Sequence, residues 1–214
     1  MIHGVLFDMD GVLVDSETFI CKAAIEMFHE RGIVVKADDF RPFVGMGENI
    51  YIGGVAEKFN VKLNIIEAKA RTYQIYGEIS SGQLKALPGS VEFLTLCRKR
   101  GFKVALATSA DRIKMEVSLK AIGLSEKSFN STINGLEVER KKPFPDIYIK
   151  ASEKLGLKPE VCLVVEDALS GIKAAKAAGC KCLAVTTSFD RKAIFEADWV
   201  CDSLLKVPEA ALNW

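Results

Sequence analysis

Short apolar runs alternate with longer stretches of helical spacing along most of this 214-residue chain. The apolar runs stop at polar turns and occupy residues 3–7, 102–107, 161–165 and 180–185. Between them lie stretches with apolar positions three and four apart, typical of one helix face, at residues 90–100, 112–122 and 169–178. Strands that alternate with helices predict an α/β fold, a Rossmann-like parallel sheet with helices on both faces.

Residues 17–84 break this alternation, because they show helical spacing but contain no strand-like run. Helices are expected there at residues 18–31, 49–59 and 65–78. We therefore predict an inserted helical cap domain over residues 17–84, and an α/β core domain formed by residues 1–16 and 85–214.

The connections between these two units follow from turn-forming residues. The chain is expected to leave the sheet near residues 14–17 and to return through the serine-, glycine- and proline-containing segment 80–89. Two adjacent glycines, Gly53 and Gly54, weaken the middle helix of the insert. Close packing against a neighbour and adaptation to a ligand both explain such a pair.

Composition excludes several classes of protein. Hydrophobic residues make up 49% and charged residues 27%, which is typical of folded globular chains. With 29 basic and 28 acidic residues, the net charge of +1 provides no overall field for nucleic acid. The first residues lack a signal-peptide pattern, and no apolar run approaches the roughly 20 residues of a membrane-spanning helix. We expect a cytoplasmic protein with no nucleic-acid or membrane partner, and the sequence indicates no particular oligomeric state.

The six cysteines are scattered without CxxC spacing, which predicts buried free thiols in a reducing compartment. Cys180 and Cys182 lie two apart in a predicted strand and share one face. With only two histidines in the chain, a zinc site is not expected there.

Acidic pairs follow two of the predicted strands. Asp8 and Asp10 come directly after the first strand, and Glu166 and Asp167 end the third in the same manner. Ligands bind at the carboxyl edge of an open parallel sheet, so we expect these carboxylates to meet there. Neighbouring acids repel unless a cation lies between them or one is protonated, and an oxygen-rich cluster suits Mg²⁺. Taken alone, Asp167 is also typical of a helix N-cap.

Two further positions could contact an anion. Thr108 and Ser109 follow the second strand and offer hydroxyl and backbone N–H groups near a predicted helix start. Lys142 precedes a proline-containing loop and could supply a fixed positive charge, although a lone lysine is also typical of a solvated surface.

In this order the motifs resemble those of the haloacid dehalogenase superfamily, and most closely its β-phosphoglucomutase-like branch, which carries a helical cap after the first motif. The four motifs are Asp8-Met9-Asp10-Gly11, Thr108, Lys142 and Glu166-Asp167. The resemblance implies a phosphatase in which Asp8 attacks phosphorus to form an aspartyl phosphate. Asp10 would protonate the leaving oxygen and then activate water.

The resemblance also implies the ligands. Mg²⁺ would be held by the Asp8 carboxylate, the Asp10 carbonyl and Asp167, with help from Glu166. Substrate contacts are expected from a set of core and cap-loop residues: Thr108, Ser109, Ala110, Lys142, Gly45, Glu48 and Asn49. An aspartate at position 10 argues against dehalogenation.

The chain departs from the mutases of that branch at two positions. Ile20 and Glu48 stand where those proteins typically carry a histidine and a phosphate-binding cap arginine. An acid in the cap loop disfavours the second phosphate of a bisphosphate, so hydrolysis of a small phosphorylated metabolite is the expected function. A phosphosugar mutase and a catalytically retired binding module are the alternatives. Lys141 adjoins Lys142, and the KPxPD spacing favours Lys142 as the phosphate partner, with Lys141 a solvated neighbour.

Overall fold

A computed structural model describes residues 1–214 and contains one six-stranded sheet. Its strands are β1 (Gly4–Phe7), β2 (Lys103–Ala107), β3 (Ser131–Ile133), β4 (Cys162–Glu166), β5 (Lys181–Val185) and β6 (Trp199–Cys201). They pair in the order β3-β2-β1-β4-β5-β6, and every pairing is parallel. The predicted Rossmann-like α/β fold is confirmed. The three-residue strands β3 and β6 at the two edges were not predicted, because so short a segment shows no pattern of its own.

Eight helices accompany the sheet: α1 (Glu17–His29), α2 (Ala37–Phe40), α3 (Glu48–Lys58), α4 (Ile65–Ser80), α5 (Ser90–Lys99), α6 (Arg112–Ala121), α7 (Asp146–Lys154) and α8 (Leu169–Ala177). The six helices predicted from spacing agree with the structure to within two residues at either end. Helices α2 and α7 were missed.

Alternate residues of the central strands face opposite sides of the sheet. Val5 and Phe7 belong to a hydrophobic cluster of 39 buried residues on one face. Leu6, between them, belongs to a second cluster of 17 buried residues on the other face. Strands covered on both faces need apolar side chains at every position, which explains the continuous apolar runs of the sequence.

Helices α1–α4 form a helical insert between β1 and α5, in which α1 packs along α4. The middle-helix glycine Gly54 packs closely, since a Cβ atom there would overlap the ring of Phe43. That favours the packing explanation for this glycine over adaptation to a ligand. The boundaries 17–84 of a separate cap domain stay a prediction.

The two connections of the insert run side by side. Val14 and Ala86 form an antiparallel bridge. Beside it, the Asp15 N–H donates to the carbonyl of Lys85 at 3.2 Å, and the Leu87 N–H donates to that of Leu13 at 3.0 Å. The chain thus leaves and re-enters the sheet unit at one place.

All six cysteines are free, and all but the partly exposed Cys21 are buried, as the scattered spacing predicted. None of the eight helices combines the length and the apolar character needed to cross a bilayer.

Candidate active site

The register of the three central strands brings the predicted catalytic residues to one edge of the sheet. Phe7, the last residue of β1, pairs with Leu106 of β2 on one side and Val165 of β4 on the other. The residues that follow therefore emerge level with one another. Strand order reverses direction between β1 and β4, and ligands of doubly wound sheets bind outside the carboxyl ends at that point.

Lys142 is the centre of a buried ion-pair network below this edge. Its Nζ donates to Asp8 Oδ1 at 2.7 Å and to Glu166 Oε1 at 2.6 Å, and only 1% of the residue is exposed. Tyr148 donates to the same Glu166 oxygen at 2.8 Å. Burial would lower the pKa of Lys142, but the charges of Asp8 and Glu166 outweigh it and raise that pKa above its usual value. Lys142 is therefore a fixed cation, and not a solvated surface lysine.

Hydrogen bonds to both carboxylate oxygens hold the Glu166 side chain in one orientation. The backbone N–H groups of Asp167 and Ala168 donate to Oε2 at 2.8 and 2.9 Å, while Lys142 and Tyr148 bind Oε1. Burial would raise the pKa of Glu166, but the charge of Lys142 and these hydrogen bonds lower it below its usual value. The carboxylate stays ionised and anchors Lys142 against Asp8.

Three buried carboxylates meet closely enough to hold a cation. Asp8, Glu166 and Asp167 each offer an oxygen, and these oxygens lie within 4.8 Å of one another. Burial, with the charges of Glu166 and Asp8, raises the pKa of Asp167 well above its usual value. Burial raises the pKa of Asp8 to about 7. The charge of Lys142 opposes this increase, and the charges of Glu166 and Asp10 add to it. One lysine does not neutralise three acids, so the donor set fits a hard divalent cation.

The side chain of Asp10 is not part of this group, but it lines the same pocket as Asp8. Ser16 donates to its Oδ1, and Lys114 of α6 donates to its Oδ2 at 2.8 Å. The same Lys114 Nζ lies 3.0 Å from Glu48 Oε1 in the helical insert. An Asp10 contribution to a metal would therefore come from its backbone carbonyl, as the family resemblance implied.

A small pocket separates the sheet edge from the helical insert. Of the predicted residues, Asp8, Asp10, Gly45, Glu48, Ser109, Ala110 and Asp167 line it. Thr108 and Lys142 are 1% exposed and lie behind its wall. Thr108 Oγ1 accepts a hydrogen bond from the Ala110 N–H at 3.1 Å, which fixes the turn below the pocket. Asn49 is exposed and does not line the pocket, so the structure gives it no contact with this site.

The loop of residues 44–47 packs against the sheet edge beside this pocket. A Cβ atom at Gly45 would lie 2.8 Å from the Cβ of Ala168, and one at Gly47 would lie 3.2 Å from the Ser109 carbonyl. Both glycines have positive φ, at 78° and 85°, so the loop needs glycine for its conformation as well as for its fit. The cavity volume is about 40 Å³, room for a few water molecules.

Four lining residues with polar side chains were not found from the sequence: Glu17, Tyr51, Lys114 and Ser188. Tyr51 donates to Glu17 at 2.8 Å, and Ser188 donates to Asp167. A signal existed for Lys114, which stands on the apolar stripe of α6 with Met115 and Leu119. A lysine on a buried stripe is unusual without an acidic partner.

Gly171 provides a stability test of the Glu166 anchor. A Cβ atom there would overlap the buried carboxylate of Glu166, which its hydrogen bonds prevent from moving. We expect Gly171→Ala to lower the free energy of unfolding by roughly 1–3 kcal/mol, although alanine ordinarily favours a helix over glycine. The matched control is Gly77→Ala in α4, where a Cβ would meet nothing within 4 Å. Denaturant unfolding of both variants measures the difference, and equal stability of the two would contradict the anchored geometry.

Comparison with known proteins identifies the class. The profile of the haloacid dehalogenase-like hydrolase family matches residues 2–179. The chloroplastic Suppressor of quenching 1 protein of Arabidopsis thaliana is 42% identical over 199 residues, which are 92% of this chain and 19% of that protein. The phosphorylated carbohydrates phosphatase of Thermotoga maritima is 34% identical over 214 residues, 99% of this chain and 97% of that protein. The structure of CbbY from Rhodobacter sphaeroides in complex with phosphate has a TM-score of 0.89 at 25% identity, with 100% of both chains covered.

The chain belongs to the haloacid dehalogenase-like hydrolase family, as its motifs predicted. It is an enzyme of the phosphatase type, and the alternative of a retired binding module is not supported. The chain spans 19% of the length of the Arabidopsis relative and 97% of that of the Thermotoga relative.

Proposed function

We propose that this chain is a Mg²⁺-dependent phosphatase that hydrolyses a small phosphorylated carbohydrate through an aspartyl phosphate on Asp8. The observation that carries the proposal is the buried group of Asp8, Lys142 and Asp167 at the carboxyl edge of the sheet. The phosphorylated carbohydrates phosphatase of Thermotoga maritima supports the substrate class, because the alignment covers 97% of its length. Helices α1–α4 serve as the cap that closes over the substrate.

Asp8 is positioned as the nucleophile. Lys142 binds its Oδ1, which leaves the second oxygen to attack phosphorus. An O–P bond to Asp8 forms while the bond to the leaving oxygen breaks. Mg²⁺, held by Asp8, the Asp10 carbonyl and Asp167, would neutralise phosphoryl charge and keep the buried carboxylates ionised.

Asp10 has the reach and orientation of a general acid and base. It lines the pocket next to Asp8, and two hydrogen bonds from Ser16 and Lys114 fix its carboxylate. In the first step its proton goes to the leaving oxygen. In the second it takes a proton from the water that attacks phosphorus, and the Asp8–phosphorus bond breaks to release inorganic phosphate.

Charge in the pocket favours hydrolysis over a mutase reaction. Five carboxylates line it, those of Asp8, Asp10, Glu17, Glu48 and Asp167, against the single lysine Lys114. That lysine is already paired with Asp10 and Glu48, so it is not free for the distal phosphate of a bisphosphate.

Other basic residues of the insert lie elsewhere. Lys58 pairs with Asp39 at 2.6 Å, Arg71 pairs with Glu30 at 2.6 Å, and Lys62 is exposed. Lys141 has no ion-pair partner and lies beside a pocket-lining glycine: its Cδ lies 3.9 Å from a Cβ built at Gly47. It is half-buried, whereas the sequence predicted a solvated neighbour of Lys142, and burial lowers its pKa.

The product of the reaction distinguishes the two chemistries. We expect β-glucose 1-phosphate, given with Mg²⁺ and a trace of the 1,6-bisphosphate, to yield inorganic phosphate with no stimulation by the bisphosphate. A screen of phosphorylated metabolites by phosphate release runs beside it and identifies the preferred substrate. Accumulation of glucose 6-phosphate ahead of free phosphate would overturn the hydrolase assignment and make Lys141→Ala the next variant to measure.

A further inference from the structure

We propose that Lys114 is a positioning residue for Asp10, and that the cap carboxylate Glu48 completes this arrangement when the cap lies against the core. The inference rests on the proposed function, in which Asp10 transfers the proton to the leaving oxygen. Nothing in the family motifs involves Lys114, which is six residues beyond Thr108 on helix α6.

Lys114 is buried between two carboxylates that come from opposite sides of the pocket. Its Nζ lies 2.8 Å from Asp10 Oδ2 in the core and 3.0 Å from Glu48 Oε1 in the cap. The residue is 3% exposed, and its Nζ is 5.9 Å from the ring centre of Tyr76 in α4. The side chain is therefore held between two carboxylates with little freedom to move.

Lys114 restrains the orientation of the Asp10 side chain. Asp10 receives one of its two hydrogen bonds from Lys114, and the other from Ser16. Without Lys114, Asp10 would keep one donor, and rotation about its side-chain bonds would no longer be restrained from that side. A misplaced proton donor costs rate even when the substrate still binds.

Glu48 keeps one carboxylate oxygen without a partner. Its Oε2 is buried without a hydrogen-bond partner, as is Ser109 Oγ. Since Oε1 lies against Lys114, the cap must be close to the core for this pair to form. Closure of the cap thus supplies the second acceptor that keeps Lys114 pointed at Asp10.

A second ion pair crosses the same interface and serves as a matched control. Lys69 of α4 lies 2.6 Å from Asp111, just before α6, and each side chain is 14% exposed. This pair joins cap and core as the Lys114–Glu48 pair does, but neither of its residues lines the pocket or pairs with Asp10. If Lys114 only held the cap closed, replacing Lys69 would have the same effect as replacing Lys114. Only Lys114 also contacts Asp10, so an effect through Asp10 is expected for Lys114 alone.

Leaving-group basicity provides the readout. Phenyl phosphate and p-nitrophenyl phosphate have similar shapes, but phenolate is the poorer leaving group and depends more on general-acid help. We expect Lys114→Met to lower kcat/KM for phenyl phosphate about 100-fold and for p-nitrophenyl phosphate only a few-fold. Lys69→Met should change both by less than about threefold.

A second variant guards against a folding defect, because Lys114→Met leaves Glu48 buried beside Asp10 without a cation. Lys114→Met combined with Glu48→Gln removes one positive and one negative charge and restores the balance. We expect this double variant to unfold near the wild-type temperature and to keep the loss that is specific to phenyl phosphate.

Three results would overturn the inference: an equal loss for both aryl phosphates in the double variant, no loss for either, or the same loss in Lys69→Met. Each leaves the proposed function standing if wild type turns over and Asp8→Asn does not. Absence of any wild-type turnover with Mg²⁺ would instead overturn the proposed function together with this inference.

Discussion

Asp8→Asn is expected to reduce phosphatase turnover by at least about 10⁴-fold, because it removes the nucleophile of the proposed covalent step. An amide cannot attack phosphorus at a useful rate, and it is a poorer ligand for a hard cation. The measurement is phosphate release at saturating substrate and Mg²⁺. Retention of a rate within tenfold of wild type would rule out Asp8 as nucleophile.

The same substitution should leave the fold intact. Asparagine has nearly the size of aspartate, and burial together with Glu166 already disfavours the charged form of Asp8. We expect the unfolding temperature in the absence of metal to equal or exceed that of wild type. Asp15→Asn is the control, since Asp15 lies seven residues beyond Asp8 on the same connection but is exposed. It should keep turnover within about twofold of wild type.

Removal of divalent metal with EDTA is expected to abolish turnover, and added Mg²⁺ to restore it. The buried oxygens of Asp8, Glu166 and Asp167 lie within 4.8 Å, with Lys142 as their only cation. Full turnover in exhaustively chelated buffer would contradict the metal requirement.

Affinity for Mg²⁺ should fall as pH falls, and this can be measured without any turnover. The pKa of Asp8 is raised to about 7 in the absence of metal, so below that pH the ion must displace a proton from it. About one-tenth of Asp8 is ionised at pH 6 and about nine-tenths at pH 8, which predicts binding at least about tenfold weaker at pH 6. Calorimetric titration at both values measures the change, and a pH-independent affinity would show that Asp8 does not ligate the ion.

Much of the fold could be predicted from the sequence because parallel strands covered on both faces must be apolar throughout. The four central strands and six of the helices show this pattern or a helical period directly. The edge strands β3 and β6 have three residues each and pair on one side only, so their sequences are less constrained. Helix α7 begins directly after Pro145, the last proline of the Lys142 loop, and the two prolines favour a loop over a helix in this segment.

The core half of the site was easier to predict than the cap half. Strand register alone brings Asp8 and Asp167 together, because parallel strands end level. The position of Glu48 depends on how α3 packs against the core, which no local pattern encodes. Its partner Lys114 is far from it in sequence, and a helical lysine read alone is usually solvated. From the sequence, Glu48 was expected to repel the second phosphate of a bisphosphate. In the structure it forms a buried ion pair with Lys114.

The paired connections at Val14 and Ala86 have a consequence for how such enzymes diversify. Antiparallel partners lie only about 5 Å apart, so the two ends of the helical insert are as close together as the ends of a surface loop. The entropic cost of closing a loop grows slowly with its length, by about 0.6 kcal/mol for each doubling, so a longer insert adds little cost to the sheet unit. In the proposed function, phosphoryl transfer would be carried by the sheet unit and substrate choice by a separately replaceable insert. A chimaera with a different helical insert grafted between these two residues is expected to keep turnover that depends on Asp8 and to take on the substrate preference of the donor.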